Sequence, residues 1–450
     1  MNPAIEAIFK AYDIRGLSPS ELDPPLARRI GGAFVDYLNA KRVAIGRDMR
    51  DTSPGLTAAF IEGARSRGAG VIDIGMVSTD MLYFAVASEA LDGGAMITAS
   101  HNPKQYNGIK LVRAGAVALS GDAGIKEVRA AALGPEPAPF AGPGGTVATQ
   151  KVSDAYVKHC LSFIDTSRLR PLKLVLDAGN GMGGPAAERI FASLPFERTD
   201  LFFTPDGNFP NHPADPLVEE NRRDVIAAVK EQKADLGIAW DGDADRCFFI
   251  DDTGEFIPGD FITALLGTMF AKREPGATIV YDVRASRAVA DSVKAAGGVP
   301  VMHRVGHAFM KVKMRELNAV YGGEVSAHYY FRDNWFADNG MIPALLMLEL
   351  VCASGRKLSE LLAPYRAKYF ISGEINSKVP DVARALARLE ERYQTGRVTR
   401  LDGVSVDYDD WHFNVRGSNT EPLLRLNLEA FSPEEMERRR DEVLALIRQP

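Results

Sequence analysis

Cysteine is scarce in this chain, and the few cysteines present are far apart. Cys160, Cys247 and Cys352 are the only three among 450 residues, and no two of them form a CxxC pair. Their odd number and wide spacing argue against a disulfide framework. They are typical of reduced thiols packed inside a cytoplasmic protein.

The sequence also lacks long apolar runs and an excess of positive charge. No stretch approaches the roughly 18 apolar residues of a membrane-spanning helix, and the segment Met1 to Lys10 lacks the regions of a secretion signal. The net charge of −6 argues against a nucleic-acid-binding surface but leaves room for local basic pockets that bind anions. We expect a cytoplasmic protein, a monomer or weak homodimer, that binds neither nucleic acid nor membranes.

The composition is that of an ordinary globular protein with several domains. Hydrophobic residues make up 46% and charged residues 25% of the chain, which is too long for one hydrophobic core. Strand-like and helix-like segments alternate through most of the chain. Near its end, short strands at hairpin spacing precede a capping box at Ser432 to Glu435. We expect three α/β domains and a C-terminal α+β domain, with boundaries at 1–147, 148–252, 253–366 and 367–450.

Proline and glycine mark the local boundaries. The segment from Gly134 to Gly145 is so rich in both that no helix or strand is expected there. Before it, the spacing predicts a helix from Ser53 to Arg67 with Ser53 as its cap. After it, the loop from Gly179 to Gly184 lacks the GxGxxG spacing of a dinucleotide site, so we interpret it as a tight strand-to-helix turn.

The strongest chemical signal is a serine loop, TASHNP, around Ser100. An apolar run from Gly94 to Ile97, typical of a short buried strand, precedes it, and Asn102-Pro103 follows as a turn. A nucleophile benefits from such a setting, and we expect its hydroxyl to point outward. A lone loop serine more often caps a turn, so this interpretation depends on a second signal.

That second signal is the loop DGDADR, in which Asp241, Asp243 and Asp245 alternate between two apolar strands. In extended backbone these carboxylates share one face and can converge on a cation. Three carboxylates without histidine or cysteine favour a hard ion such as Mg²⁺. An EF-hand would need glycine at the sixth position, where Arg246 stands instead, and this guanidinium suits a phosphate shared with the metal.

Two further segments have the donors and acceptors of a sugar-phosphate site. In RGSNT, the guanidinium of Arg416 is followed by hydroxyl and amide side chains, a combination that suits phosphate or an ordinary hydrogen-bonded turn. In GGEVSAH, Glu324, Ser326 and His328 alternate with small or apolar residues, which predicts that all three project to one side. A carboxylate there can accept hydrogen bonds from two neighbouring sugar hydroxyls.

The four loops together resemble those of the α-D-phosphohexomutases, and most of all the bacterial phosphomannomutase/phosphoglucomutase group of that family. The motifs that carry the resemblance are TASHNPKQYNGIKL, DGDADR, GGEVSAH and RGSNTEP. They occur in the family's order from Tyr12 to Arg425. The resemblance implies three related α/β domains with mixed sheets and a fourth α+β domain around a central active-site cleft. It also implies interconversion of mannose 6-phosphate and mannose 1-phosphate through a phosphoserine and a hexose 1,6-bisphosphate, which also acts as activator.

The same resemblance implies roles for individual residues. Mg²⁺ would be bound by Ser100, Asp241, Asp243 and Asp245. The implied acid/base or charge-stabilising residues are Arg15, His101, Lys110, Arg246 and His307. Substrate-binding residues would be Tyr12, Arg284, Glu324, Ser326, His328, Arg416, Ser418, Asn419, Thr420 and Arg425.

Two features of the sequence leave alternatives open. Arg284 stands where many relatives have lysine, and arginine stays protonated, so a proton-transfer role is in doubt there. A glutamate that binds the 3- and 4-hydroxyls does not separate mannose from glucose, which leaves phosphoglucomutase or phosphoglucosamine mutase activity as alternatives. A metal-dependent phosphatase with an aspartate nucleophile, or a non-catalytic sugar-phosphate sensor, would also use such motifs.

Overall fold

The computed structural model describes residues 3–121, 123–417 and 423–449, and it divides into two compact units. The first unit comprises residues 1–257 and 326–358, and the second comprises residues 258–325 and 359–450. Within the described ranges, every helix is too short or too polar to span a membrane.

A mixed sheet forms the beginning of the first unit. Its strands are β1 (Ile14–Leu17), β2 (Arg42–Arg47), β3 (Gly70–Met76), β4 (Gly93–Ile97), β5 (Tyr106–Arg113), β6 (Val117–Ala118) and β7 (Val147–Thr149). The strand order is β1-β5-β4-β2-β3-β7, with β6 beside β5. Strands β4, β2, β3 and β7 run parallel, whereas β5 is antiparallel to both β4 and β1.

Helices cover this sheet because its strands are apolar on both faces. They are α1 (Pro3–Ala7), α2 (Pro24–Leu38), α3 (Ser53–Ser66), α4 (Thr79–Ser88) and α5 (Ile125–Leu133). Phe34 and Phe60 of α2 and α3 pack with Ile45, Ile97 and Ile109 of the strands in one buried core. As predicted, no helix or strand forms between α5 and β7.

The predicted cap of α3 is wrong by one residue. Thr52 is the N-cap, and Ser53 is the first helical residue. The Ser53 hydroxyl does not bond to the helix backbone, because it donates to the buried Asp48 carboxylate at 2.6 Å.

A second mixed sheet of the first unit carries the acidic loop. Its strands are β8 (Lys173–Asp177), β9 (Glu197–Leu201), β10 (Leu236–Trp240), β11 (Cys247–Ile250) and β12 (Phe256–Ile257), in the order β12-β11-β10-β8-β9. Helices α6 (Ser153–Leu161), α7 (Gly183–Phe191) and α8 (Arg223–Gln232) accompany it. The two strands predicted on either side of the aspartate loop are β10 and β11, and they pair as an antiparallel hairpin whose turn holds the three aspartates.

The second unit begins with a parallel three-stranded arrangement. Strands β13 (Thr278–Asp282), β14 (Val299–His303) and β15 (Tyr321–Gly323) pair in the order β14-β13-β15, with α9 (Gly259–Arg273), α10 (Arg287–Ala295) and α11 (His307–Leu317). The chain then contributes β16 (Tyr329–Phe331), β17 (Ala337–Asp338) and α12 (Met341–Ser354) to the first unit, where β16 and β17 are antiparallel.

The end of the chain is the predicted α+β region. After α13 (Leu358–Arg366) follow β18 (Phe370–Ile371), β19 (Ile375–Lys378), α14 (Val382–Arg392), β20 (Arg397–Thr399), β21 (Val404–Asp407), β22 (Trp411–Gly417), β23 (Leu423–Ala430) and α15 (Pro433–Ile447). The strand pairs are antiparallel. The Ser432 side chain caps α15 by accepting from the Glu435 amide at 3.2 Å, as the capping box predicts.

Candidate functional site

The serine loop begins where β4 ends, but its hydroxyl points into the protein and not outward as predicted. Ser100 is 1% exposed and has a φ of 52°, in the left-handed region that costs a non-glycine residue free energy. The Thr98 side chain accepts from the Ser100 amide at 2.9 Å, and the Asn102 amide donates to the Ala99 carbonyl at 3.0 Å. These bonds hold the loop in its strained conformation.

A buried arginine that sequence reasoning missed organises the same loop. The guanidinium of Arg50 donates to the carbonyl oxygens of Ser100 and Asn102, at 2.8 and 2.6 Å, and to those of Pro103 and Tyr106, both at 2.9 Å. Its remaining N–H, at Nε, donates to Asp48 at 3.2 Å. The signal in the sequence was the pair Asp48 and Arg50 directly after an apolar strand.

The three aspartates converge, although by a turn and not by extended backbone. Ala244 has a φ of 60°, and its amide donates to the Asp241 carbonyl at 3.0 Å, so the loop folds back on itself. One oxygen from each of Asp241, Asp243 and Asp245 lies within 4.8 Å of the others, and all three residues are buried.

The serine loop and the acidic loop meet directly. The Ser100 hydroxyl donates to Oδ2 of Asp241 at 2.7 Å. A Cβ at Gly242 would lie 2.4 Å from the Ser100 carbonyl oxygen, so only glycine permits this approach. The turn predicted around Gly181 packs against the acidic loop, and its Met182 amide donates to the Gly242 carbonyl at 2.9 Å.

Lysine compensates part of the negative charge of the trio. Nζ of Lys110, on β5, donates to Oδ2 of Asp243 at 2.7 Å and to Oδ2 of Asp245 at 2.5 Å. Burial raises the pKa of both carboxyls, but the Lys110 ammonium outweighs it, so both pKa values lie below the usual range. Burial and the two other carboxylates raise the pKa of Asp241 well above that range.

The trio also has the free oxygens that a cation requires. Oδ1 of Asp243 and Oδ1 of Asp245 are buried, and no hydrogen-bond donor in the described part of the chain serves either atom. Unsatisfied buried carboxylate oxygens are costly unless an ion or water binds them. The set consists of oxygen ligands only, which fits a hard divalent ion, so the trio can bind a metal.

Arginine and histidine side chains surround the serine hydroxyl. Arg246 donates from Nη2 to Nδ1 of His101 at 3.0 Å and from Nε to Nε2 of His328 at 3.2 Å. Nδ1 of His101 lies 3.2 Å from Oγ of Ser100. Burial, with the nearby guanidiniums of Arg246 and Arg15, lowers the pKa of His101 well below its usual range, so the ring is neutral at pH 7.

Four predicted residues of the first unit, Tyr12, Arg15, Ser326 and His328, have the following positions. Arg15, on β1, donates from Nη1 to the Asn102 side chain at 2.6 Å, which brings it to the serine loop. Tyr12 is half-buried in the bend before that strand. Oγ of Ser326 lies 3.1 Å from Nδ1 of His328, so these two predicted residues are neighbours.

Glu324 belongs to the second unit, and the predicted alternation with Ser326 and His328 is wrong. Residues 325–326 form a turn and Ala327 has a φ of 65°, so the segment is not extended and its side chains do not share one face. Oε1 of Glu324 accepts from the Gly306 amide at 2.8 Å, immediately before His307 begins α11.

The predicted arginines of the second unit converge on a carboxylate that sequence reasoning missed. The Glu374 carboxylate oxygens lie close to guanidinium nitrogens of three arginines, at 3.3 Å for Arg284, 3.7 Å for Arg416 and 3.2 Å for Arg425. Arg284 also makes a two-point contact with Asp282, at 3.0 and 2.9 Å. Ser418, Asn419 and Thr420 lie outside the described residues.

Comparison with known proteins gives matches along nearly the whole chain. Models of the phosphoglucomutase/phosphomannomutase α/β/α domains I, II and III match residues 6–134, 154–254 and 258–369, and the model of the C-terminal domain matches residues 374–446. The four matches follow one another along the chain without overlap.

Individual relatives cover the chain equally well. It is 48% identical to a protein named phosphohexose mutases from Xanthomonas campestris, over 94% of each chain, and 46% identical to a phosphomannomutase from Salmonella montevideo, over 98% of each. The crystal structure of a phosphoglucomutase/phosphomannomutase family protein from Burkholderia thailandensis superposes with a TM-score of 0.90 at 36% identity, covering 98% of this chain and 97% of that one.

Proposed function

The chain belongs to the phosphoglucomutase/phosphomannomutase family, and from this premise we propose that it interconverts mannose 6-phosphate and mannose 1-phosphate. The observation that carries the proposal is the 2.7 Å contact between the Ser100 hydroxyl and Asp241. It brings a nucleophilic oxygen to an acidic, metal-compatible loop, as phosphoryl transfer requires. The three related α/β domains and the α+β domain, with limits at 1–147, 148–252, 253–366 and 367–450, are part of the same proposal.

In the proposed cycle, Ser100 carries the phosphoryl group that is transferred. The bond from Oγ to phosphorus breaks as a hydroxyl of the hexose monophosphate attacks the phosphorus, which gives a hexose 1,6-bisphosphate. The proton of the attacking hydroxyl ends on Oγ, which re-forms the serine hydroxyl. In the return step, Oγ attacks the other phosphoryl group, the bond from phosphorus to the sugar oxygen breaks, and the serine proton passes to the released sugar oxygen. Oδ2 of Asp241 lies within reach of that proton. A hexose 1,6-bisphosphate added from outside would activate the enzyme by phosphorylating Ser100.

The charged side chains of the first unit would stabilise the transferred group. Arg246 and Lys110 bring positive charge to the two loops, and Nδ1 of His101, which accepts from Arg246, lies beside Oγ. Asp241, Asp243 and Asp245, with an oxygen of Ser100, would hold Mg²⁺. The ion would offset negative charge on the transferring phosphoryl oxygens.

Most of the residues proposed to bind the rest of the substrate belong to the second unit. Arg416 and Arg425, with Ser418, Asn419 and Thr420, would bind the phosphate that does not react. Glu324 would accept from the 3- and 4-hydroxyls, with Ser326 and His328 as further ligands. Because these hydroxyls are shared by both sugars, glucose phosphates are proposed as second substrates. Arg284 would stabilise negative charge and would not transfer a proton. His307 and Arg15 would stabilise charge or transfer a proton.

The state of the thiols supports a proposal for the cell compartment. Cys160, Cys247 and Cys352 are all free and buried, which suits a reducing environment. We therefore propose that the reaction takes place in the cytoplasm.

The function is tested by following both phosphate positions in one experiment. With Mg²⁺ and a trace of glucose 1,6-bisphosphate, ³¹P NMR should show mannose 1-phosphate converting to mannose 6-phosphate with almost no free phosphate. Stoichiometric release of inorganic phosphate would instead identify a phosphatase. Binding of mannose 6-phosphate without any turnover would identify a sensor.

Removal of divalent ions should abolish activity and also destabilise the protein. Without a cation, the three buried carboxylates are balanced by the Lys110 ammonium and by the Arg246 guanidinium, whose Nε lies 3.6 Å from Asp241. Because these two positive charges face three carboxylates, metal binding should be linked to folding. After treatment with EDTA, we expect activity to fall at least about 100-fold and the melting temperature to drop by a few degrees, both restored by Mg²⁺. A melting temperature that Mg²⁺ leaves unchanged in the wild type, with full activity in EDTA, would contradict the proposed metal site.

A further inference from the structure

We propose that Glu374 is a built-in anion that competes with the substrate's phosphate for the guanidiniums of Arg284, Arg416 and Arg425. The inference rests on the proposed function, because it assumes that these arginines bind a phosphate monoester. Glu374 would not bind the substrate itself. Its carboxylate would pair with the guanidiniums in the free enzyme and leave them when phosphate binds.

The geometry places one carboxylate among all three guanidiniums. Oε2 of Glu374 lies 3.3 Å from Nη1 of Arg284 and 3.7 Å from Nη2 of Arg416, and its Oε1 lies 3.2 Å from Nη1 of Arg425. Both carboxylate oxygens therefore contact guanidiniums, as two oxygens of a bound phosphate would.

The sheet itself explains why an anion is needed there. Arg416 on β22 and Arg425 on β23 are direct partners across the antiparallel pair. Like charges in this position repel each other. Glu374 directly precedes β19, which pairs with β23, and its carboxylate reaches both arginines. The carboxylate relieves the repulsion when no ligand is bound.

The positive charge of this arginine cluster is balanced more completely by a phosphate monoester than by the single carboxylate of Glu374. Arg284 is already paired with Asp282 by two hydrogen bonds, so Arg416 and Arg425 carry the remaining charge, about +2. Glu374 neutralises one of these charges, whereas a phosphate monoester carries close to −2 at pH 7. Nε of Arg416 and Nε of Arg425 are buried, and neither has a hydrogen-bond partner within the described residues.

Glu374 also remains charged and accessible enough to exchange. Burial raises the pKa of its carboxyl, but Arg284, Arg425 and Arg416 outweigh this effect and hold the pKa below its usual range. Its side chain is 25% exposed, whereas that of Asp282 is fully buried. An incoming phosphate can therefore displace Glu374 more readily than Asp282.

The test compares phosphate affinity between variants. We expect Glu374→Gln to bind inorganic phosphate about 3- to 10-fold more tightly than the wild type in isothermal titration calorimetry, and to lower KM for mannose 1-phosphate in the same direction. Glu374→Asp keeps the charge but shortens its reach, so its affinity should lie between the two. Glu390→Gln is the matched control, because it removes a partly exposed carboxylate that pairs with Arg400 in the same unit, and it should leave affinity unchanged.

A double-mutant cycle assigns the effect to this cluster and not to another phosphate site. In an Arg425→Met background, the gain from Glu374→Gln should shrink markedly. Weaker or unchanged phosphate binding by Glu374→Gln overturns the inference, as does a gain that persists without Arg425. Turnover by the wild type reports on the proposed function separately. An inactive wild type that still shows the affinity change would overturn the mutase assignment and leave the competition intact.

Discussion

Replacing Ser100 with alanine is expected to lower kcat for mannose phosphate isomerisation by at least about 10⁴-fold. The variant has no oxygen at this position to form the phosphoester, and none of the neighbouring side chains replaces it as nucleophile. Substrate binding should persist, because the arginines proposed to bind the non-reacting phosphate belong to the second unit. A coupled assay measures the rate, and intact mass should show one phosphate on the wild type that is missing from the variant.

The same substitution should leave the fold intact. The Ser100 hydroxyl donates one hydrogen bond, to Asp241, and losing such a bond costs about 1–3 kcal/mol. Ser405→Ala is the matched control, since it removes another buried hydroxyl, which accepts from Asn414 at 2.9 Å. The control should lose similar stability and keep its activity. Substantial turnover by Ser100→Ala in a correctly folded protein would overturn the phosphoserine mechanism.

Features encoded over short stretches of sequence were predictable. The serine loop, the acidic hairpin and the C-terminal helix cap each depend on residues within about ten positions of one another. The hairpin from β10 to β11 formed where two apolar runs flank the aspartates, and the capping box at Ser432 bonded as expected. Family resemblance added what spacing alone does not give, which is that the serine and the aspartates belong to one site.

The backbone conformation of single residues, here a positive φ, was not predictable from the same patterns. Both Asp241 to Asp245 and Glu324 to His328 alternate as a strand does, yet each segment turns at an alanine with positive φ, Ala244 and Ala327. Glycine and asparagine signal such conformations in a sequence, and alanine does not. These alanines adopt them because the surrounding chain imposes the turn.

Residues whose partners are distant in sequence were also missed. Arg50 bonds to carbonyl groups about fifty positions away, and Glu374 meets arginines on both sides of it in the chain. Neither residue stands in a motif with a recognisable chemical composition. Their importance follows from burial and convergence, which only the folded chain reveals.

Arg50 is the second residue at which a single change should have a large effect. Its guanidinium is completely buried and donates to three carbonyl oxygens of the serine loop, to the carbonyl oxygen of Tyr106 at the start of β5, and to Asp48. Lysine preserves the charge that balances Asp48, but it has only three N–H donors and no planar fork. At least two of these five acceptors should therefore lose their donor in Arg50→Lys, at a cost of about 1–3 kcal/mol each.

We expect Arg50→Lys to fold with a melting temperature lowered by several degrees and to lose at least about 100-fold in kcat. KM should change much less, because Arg50 lies under the serine loop and not among the residues proposed to bind the hexose phosphate. A merely structural role would lower stability without this separation of kcat from KM. Arg67→Lys is the control, since Arg67 likewise pairs with a carboxylate, Asp36, and a carbonyl oxygen, but near the surface. Wild-type kcat in a folded Arg50→Lys variant would show that the serine loop holds its strained conformation without the guanidinium, and that the Thr98 and Ala99 bonds alone position Ser100.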